Sequence, residues 1–250
     1  MSLSDLSAAE VDYEHTALKT VVCQLQFHPI LRIGKEAPAE LQEAIRAVFP
    51  VYERRDSQML FSFRLGPSAE REEPLSHGST HVFKSEEGNW TATLGNNSVG
   101  VETSSHVHFE DFMNRLNLIR TAAEREYKIP SYTRAGLRYI NNFSPTEFPG
   151  GWGARFNPWL LGALADPDLV DDIEQSQQVV RFRLPSGNLN LIHGLNPDKS
   201  YTVDLDHSIE GKLECHVTNE LLAEFNRGIY QAFRWSISAE LHEEMRPHAR

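Results

Sequence analysis

The chain has 250 residues, of which 40% are apolar and 24% charged, with 15 Gly and 13 Pro; this balance excludes disordered, collagenous and low-complexity proteins and leaves one large or two small globular domains. Twenty-four Lys and Arg stand against 35 Asp and Glu, a formal charge of −11, which repels phosphate backbones and anionic lipid and argues against a general nucleic-acid or membrane coat. Two cysteines, Cys23 and Cys215, exclude a disulfide framework and a CxxC pair for zinc or redox work.

The opening MSLSDLSAAEVDYEH has neither a basic nor an apolar signal region. No run approaches the roughly 18 apolar residues of a spanning helix. A cytoplasmic, reduced protein is expected, with residues 1–19 as an N-terminal extension and no membrane partner. The two Asn-x-Ser matches, at Asn96 and Asn142, are then accidental.

From Val21 to Phe27 apolar residues alternate with Gln24 and Gln26, which predicts a half-buried strand. Ala37-Pro38-Ala39-Glu40 opens a helix carrying Leu41, Ile45 and Val48, which Phe49-Pro50 stops. Met59 to Leu65 reads as a strand and Gly66 to Thr80 as an exposed loop. Short strands follow at His81 to Lys84 and within Trp90 to Glu102, punctuated by turns at Glu87-Gly88-Asn89 and Asn96-Asn97. Phe109, Phe112, Met113, Leu116, Ile119 and Ala123 then mark a long amphipathic helix ending near Pro130.

Tyr132 to Phe143 is a strand with Leu137, Tyr139 and Asn141 on one face and Gly136, Arg138 and Ile140 on the other. The Pro/Gly loop 144–153 leads to a short helix from Pro158 to Leu164. Strands at Gln177 to Leu184, Leu189 to Gly194 and Tyr201 to Ser208 are separated by turns at Pro185-Ser186-Gly187-Asn188 and Asn196-Pro197-Asp198-Lys199. A final helix carries Leu222, Phe225, Ile229, Ala232, Phe233, Ile237 and Leu241, with Thr218 or Asn219 as N-cap.

The expected fold is α+β: two similar β-α-β-β-β-α halves, residues 20–130 and 131–250, form mainly antiparallel sheet with long helices on one face of one compact pseudo-two-fold body. Cys23 to Phe27 falls on Ala135 to Tyr139 at an offset of 112, and His106-Val107 falls on His216-Val217 at 110; near-equal offsets are the mark of duplication.

Catalytic signatures are incomplete. His242-Glu243-Glu244-Met245-Arg246 begins like a zincin helix but has Arg246 where the second His belongs. There is no phosphate-binding P-loop, no Gly-x-Ser-x-Gly elbow, and Gly150-Gly151-Trp152-Gly153 lacks dinucleotide-binding spacing. No cofactor is implied. His77, His81, His106 and His108 lack a clear third ligand, so no metal is expected. His193 and His207 read as ordinary strand residues, Cys23 as a buried apolar group, and Trp152 and Trp159 as core anchors more than as a lid.

In Tyr201-Thr202-Val203-Asp204-Leu205-Asp206-His207, strand alternation puts Thr202, Asp204 and Asp206 on one side. They either line the solvent face of a half-buried strand or converge on a cation, for which Arg138 is the candidate, since a guanidinium turned inward needs a carboxylate or an anionic ligand.

The segments Val21-Val22-Cys23-Gln24-Leu25-Gln26-Phe27, Arg134-Ala135-Gly136-Leu137-Arg138-Tyr139-Ile140-Asn141, Val203-Asp204-Leu205-Asp206 and Phe233-Arg234-Trp235-Ser236-Ile237-Ser238 together resemble a sporadically distributed family of uncharacterised bacterial proteins. Ser238 stands where that pattern has Thr. The resemblance implies a bacterial cytosolic protein, carries no activity, and singles out Arg138, Asn141, Asp204 and Asp206; sporadic distribution is compatible with an accessory or defence role. Three functions follow as expectations. The first is an interaction or regulatory component with a protein partner or a second copy of itself. The second is a binder of a small anionic ligand, or an enzyme, with its site between the halves and Asp204 or Asp206 as base. The third is a nucleic-acid processing factor using Arg54, Arg55, Arg134 and Arg138.

Overall fold

A computed structural model describes residues 10–56, 79–105, 108–149, 151–166 and 168–249. The strand expected at Met59 to Leu65, most of the loop after it, and His77 and His106 lie outside the described residues.

In chain order the elements are β1 (Val11–Tyr13), β2 (Leu18–Gln26), α1 (Leu31–Lys35), α2 (Ala39–Ile45), β3 (Val51–Asp56), β4 (Ser79–Lys84), β5 (Trp90–Gly95), β6 (Ser98–Thr103), α3 (Phe109–Tyr127), β7 (Ser131–Phe143), α4 (Pro158–Leu161), β8 (Gln178–Leu184), β9 (Gly187–Leu195), β10 (Tyr201–Glu214), α5 (Thr218–Ser236), α6 (Ala239–Glu244) and β11 (Pro247–Ala249), with short 3-10 turns between them. The order β-α-β-β-β-α holds from β7 to α5. Between β2 and α3, however, stand two short helices and four described strands, so the order does not recur strand for strand.

By contact density the chain forms two units interleaved in sequence: residues 20–137 with 208–223, and residues 1–19 with 138–207 and 224–250. The changeovers fall inside β2, β7, β10 and α5, whereas the sequence-based halves meet at residues 130 and 131.

In the first unit the strand order is β3-β4-β5-β6-β2-β7, antiparallel from β3 to β2. Period-two alternation brings Cys23 opposite Val101 and Leu25 opposite Val99, with Ala92 and Leu94 in the next strand. All of these are fully buried. Helix α3 covers that face with Phe112, Leu116, Ile119 and Ala123, all at 0% exposure, and the Trp90 and Phe112 rings lie 5.9 Å apart. Glu110 and Asp111 in its first turn complement the helix dipole. The opposite face is polar, with Gln24, Thr91, Thr93 and Glu102 in register. Strand β3 escapes the hydrophobic pattern because Glu53, Arg54 and Arg55 occupy its centre; Glu53 accepts from Lys84 of β4 and from Arg55, each at 2.9 Å.

In the second unit β7, β10, β9 and β8 follow one another. Phe143 of β7 packs edge-on to Phe148 and Phe156, each 5.2 Å away, and Phe156 stacks on Tyr201 at 4.1 Å. A two-stranded ladder of β1 and β11 lies beside them in the same unit, where Tyr13 meets Phe233 and His242. The final helix is not continuous to Leu241 as its spacing suggests. Ser236 Oγ donates back to Ala232 O, Ile237 forms a bridge with Phe156, and Ser238 restarts the chain as α6 by accepting from Leu241 N. Thr218 is not an N-cap either: it already has helical φ and ψ after the 3-10 turn Cys215–Val217, and its Oγ1 has no hydrogen-bond partner among the described residues.

Gly194 in β9 has φ +154°, and a Cβ there would stand 2.0 Å from Ser176 O. Gly194→Ala is therefore expected to cost about 2–4 kcal/mol, strain and backbone displacement together, measured as a lower urea midpoint with an unchanged slope.

Candidate functional site

Strand alternation on β10 puts Tyr201, Val203, Leu205 and His207 against the helices and Thr202, Asp204 and Asp206 on the other side. Neither side is open. Asp204 is 6% exposed and Asp206 5%, so the two aspartates do not line a solvent face. Arg138 of β7 answers Asp204 with two parallel hydrogen bonds, Nε to Oδ1 at 2.8 Å and Nη2 to Oδ2. This fork-on-fork geometry is the strongest form of the ion pair. Burial of Arg138 disfavours its charge, but the bonds to Asp204 and the field of Asp204 and Asp206 outweigh it and hold the guanidinium pKa above its ordinary value.

Asn141 belongs elsewhere. Three residues on from Arg138 it faces the opposite way, and its Nδ2 donates to Val203 O at 3.1 Å, while Tyr139 donates to Asn226 Oδ1 of α5 at 2.8 Å. The four residues singled out by sequence thus divide between the two faces: Arg138 with Asp204 and Asp206 on one, Asn141 bridging backbone on the other.

The buried histidines are the polar residues that sequence reading passed over. His193 Nδ1 lies 3.0 Å from Tyr201 Oη, and burial pushes its pKa down to about 4. His207 stacks on Phe225 with ring centres 4.3 Å apart, sits 3.3 Å from Ser186 Oγ, and is pushed down to about 4 by the same burial. Gly228 of α5 makes room for it: a Cβ there would stand 3.0 Å from Nδ1. In the other unit His81, also depressed by burial, lies 2.7 Å from Ile33 O through Nε2 and 2.9 Å from Tyr52 Oη through Nδ1. That pair fixes the tautomer: Nε2 donates to the carbonyl and Nδ1 accepts from the phenol. The signal available in sequence was a polar residue at an inward period-two position, which reads the same as a strand residue on a wet face.

Other candidates carry little chemistry. Burial raises the Cys23 thiol to about 12 against the pull of Arg134 and Arg120, which leaves it protonated and unreactive. Trp152 packs on Phe156 and Tyr201 and donates to Lys199 O, but Trp159, expected in the core, is 87% exposed. Two recesses open in the first unit. One of about 500 Å³ is lined by Val48, Pro50, Glu86, Glu87, Asp111 and Arg115 among others, and one of about 220 Å³ by Arg55, Lys84 and Glu102 with threonines. Neither is lined by Arg138, Asp204 or Asp206. Among the described residues no three His, Cys, Asp or Glu side chains are grouped to hold a metal, and no helix is long and apolar enough to cross a membrane.

No protein-family model matches the chain, and no curated protein matches it either.

Two measurements follow from this geometry. Asp204→Ala strands a buried guanidinium and should lower unfolding free energy by about 3–5 kcal/mol, whereas Arg138→Met/Asp204→Leu, which removes both charges, should recover most of it; chemical denaturation of the three chains checks this. For the histidines, the unfolded chain takes protons near pH 6.5 and the folded one only near 4. Their contribution is therefore complete above pH 6.5 and is lost as pH falls toward 4. The thermal midpoint should drop over that interval, and His193→Gln/His207→Gln should flatten the slope.

Proposed function

We propose that this chain is a protein-interaction or accessory component, cytoplasmic and bacterial as its family resemblance implies. The observation that carries the reading is where its unused bonding capacity lies. The polar residues that stand out on the buried strands are turned inward and engaged: Arg138 with Asp204, His193 with Tyr201, His81 with Ile33 and Tyr52. Trp159, Val179 and two arginines of β8 are instead exposed. An enzyme needs a nucleophile or base at a recess; a docking protein needs exposed aromatic and arginine anchors.

The competing readings draw less support. An anionic small molecule at Arg138 would have to displace a carboxylate already held by two hydrogen bonds. For nucleic acid, Arg55 is paired with Glu53, which offsets one charge of the arginine patch that the sequence suggested.

Tagged chain purified at native abundance from its source organism is expected to retain one polypeptide in fixed stoichiometry, visible as a defined mass in native mass spectrometry. A strictly monomeric chain, with nothing retained in fixed ratio across independent preparations, overturns the reading.

A further inference from the structure

The side of β8 turned away from β9 carries groups that the fold leaves unused. Leu184 and Gly187 pair directly across the two-residue turn Pro185-Ser186, so they exchange both ladder bonds. By antiparallel alternation Phe182, Val180 and Gln178 do the same with β9. The amide and carbonyl groups of Val179, Arg181 and Arg183 therefore point to the outer edge. Strand β8 is last in its strand order, and among the described residues no backbone hydrogen bond reaches those three residues from outside the ladder.

Their side chains are as open as their backbone. Val179 is 47% exposed, and Arg181 and Arg183 are exposed too, whereas the alternate residue Phe182 turns inward to Trp235 at 6.0 Å. In a chain of charge −11, Arg181 and Arg183 have no ion pair or side-chain hydrogen bond among the described residues. At the start of the strand Gln178 Nε2 donates to Leu160 O at 3.1 Å. That bond ties α4 to the face of β8 that carries Phe182, and leaves the face of Val179, Arg181 and Arg183 uncovered by it.

We propose that β8 receives an extended acidic segment of a partner protein as an added strand. The partner's backbone completes the ladder at Val179, Arg181 and Arg183, carboxylates at alternate positions meet the two arginines, and a residue near the end rests on Val179. The proposal deepens the interaction reading and rests on it. Charge selects the occupant. A second copy pairing antiparallel about Arg181 or Phe182 would set arginine opposite arginine, which destabilises a cross-strand pair, and charged residues on an edge strand are a common barrier to such self-pairing. An acidic strand meets two cations instead.

The test uses the full chain and a fluorescein-labelled (Glu-Val)4 peptide, followed by anisotropy at physiological salt and by amide exchange at Val179, Arg181 and Arg183. The peptide is expected to bind and to slow exchange at those three amides. N-methylation of its glutamates keeps the charge but removes the donors facing β8, and should weaken binding at least about tenfold. Arg181→Glu/Arg183→Glu should lose the acidic peptide and gain a (Lys-Val)4 peptide. Equal binding of the N-methylated peptide, unchanged binding by the arginine variant, or dimerisation of the chain through β8 overturns the proposal. So does absence of peptide binding: with a stoichiometric partner still retained from cells, only the assignment to β8 falls, and with none retained the interaction reading falls as well.

Discussion

A charge that cannot be given up is the constraint around which the β7–β10 region is organised. Arginine stays protonated at any pH a cell reaches, so once Arg138 sits on an inward-facing position of a long strand, a carboxylate must meet it or the strand cannot be buried there. Asp204 supplies the partner and Asp206 adds its field, and both acids can then occupy strand positions that disfavour Asp. Tyr139 and Asn141, turned to the other side, make hydrogen bonds of their own to α5 and to the β10 backbone. Hydrophobic burial supplies most of the driving force for such a region, but a two-residue slip leaves the same face apolar. Paired polar groups do not tolerate that slip, which would separate every one of them.

The same logic explains the neutral histidines. An imidazole inside a sheet layer is tolerated when it remains uncharged and finds one partner, as His193 finds Tyr201 and His81 finds both a carbonyl and a phenol. Chemistry near pH 7 needs groups poised to change protonation, and these are held away from that condition. Among the described residues, the outer edge of β8 and its two exposed arginines are left without such partners.

Much of the architecture was legible in the sequence because hydrophobic period is a direct projection of burial. Val21 to Phe27, the Asn96-Asn97 turn, the helix from Phe109 and the strands after Gln177 follow from it closely. Strand β3 did not, since Glu53, Arg54 and Arg55 satisfy one another and Lys84 across strands and so need no apolar alternation. The break between α5 and α6 was hidden because Ile237 and Leu241 keep helical spacing across it while a serine at each side remakes the hydrogen bonds. The meeting of Arg138 and Asp204 was foreseeable from charge alone. Which face Asp204 and Asp206 occupied, open or closed, was not, because alternation tells which residues share a side but not what covers it. Trp159 shows the reverse failure: an aromatic was assigned to the core by habit of composition, although one turn of helix is enough to turn it out.

Cys23 sits at 0% exposure at the centre of β2, with its thiol held protonated. No alkylating reagent reaches it while β2 remains paired with β6, and no local fraying of the ends of that ladder uncovers it. Its rate of modification is therefore a clock for cooperative opening of the β2–β6 ladder, built into the chain without any label.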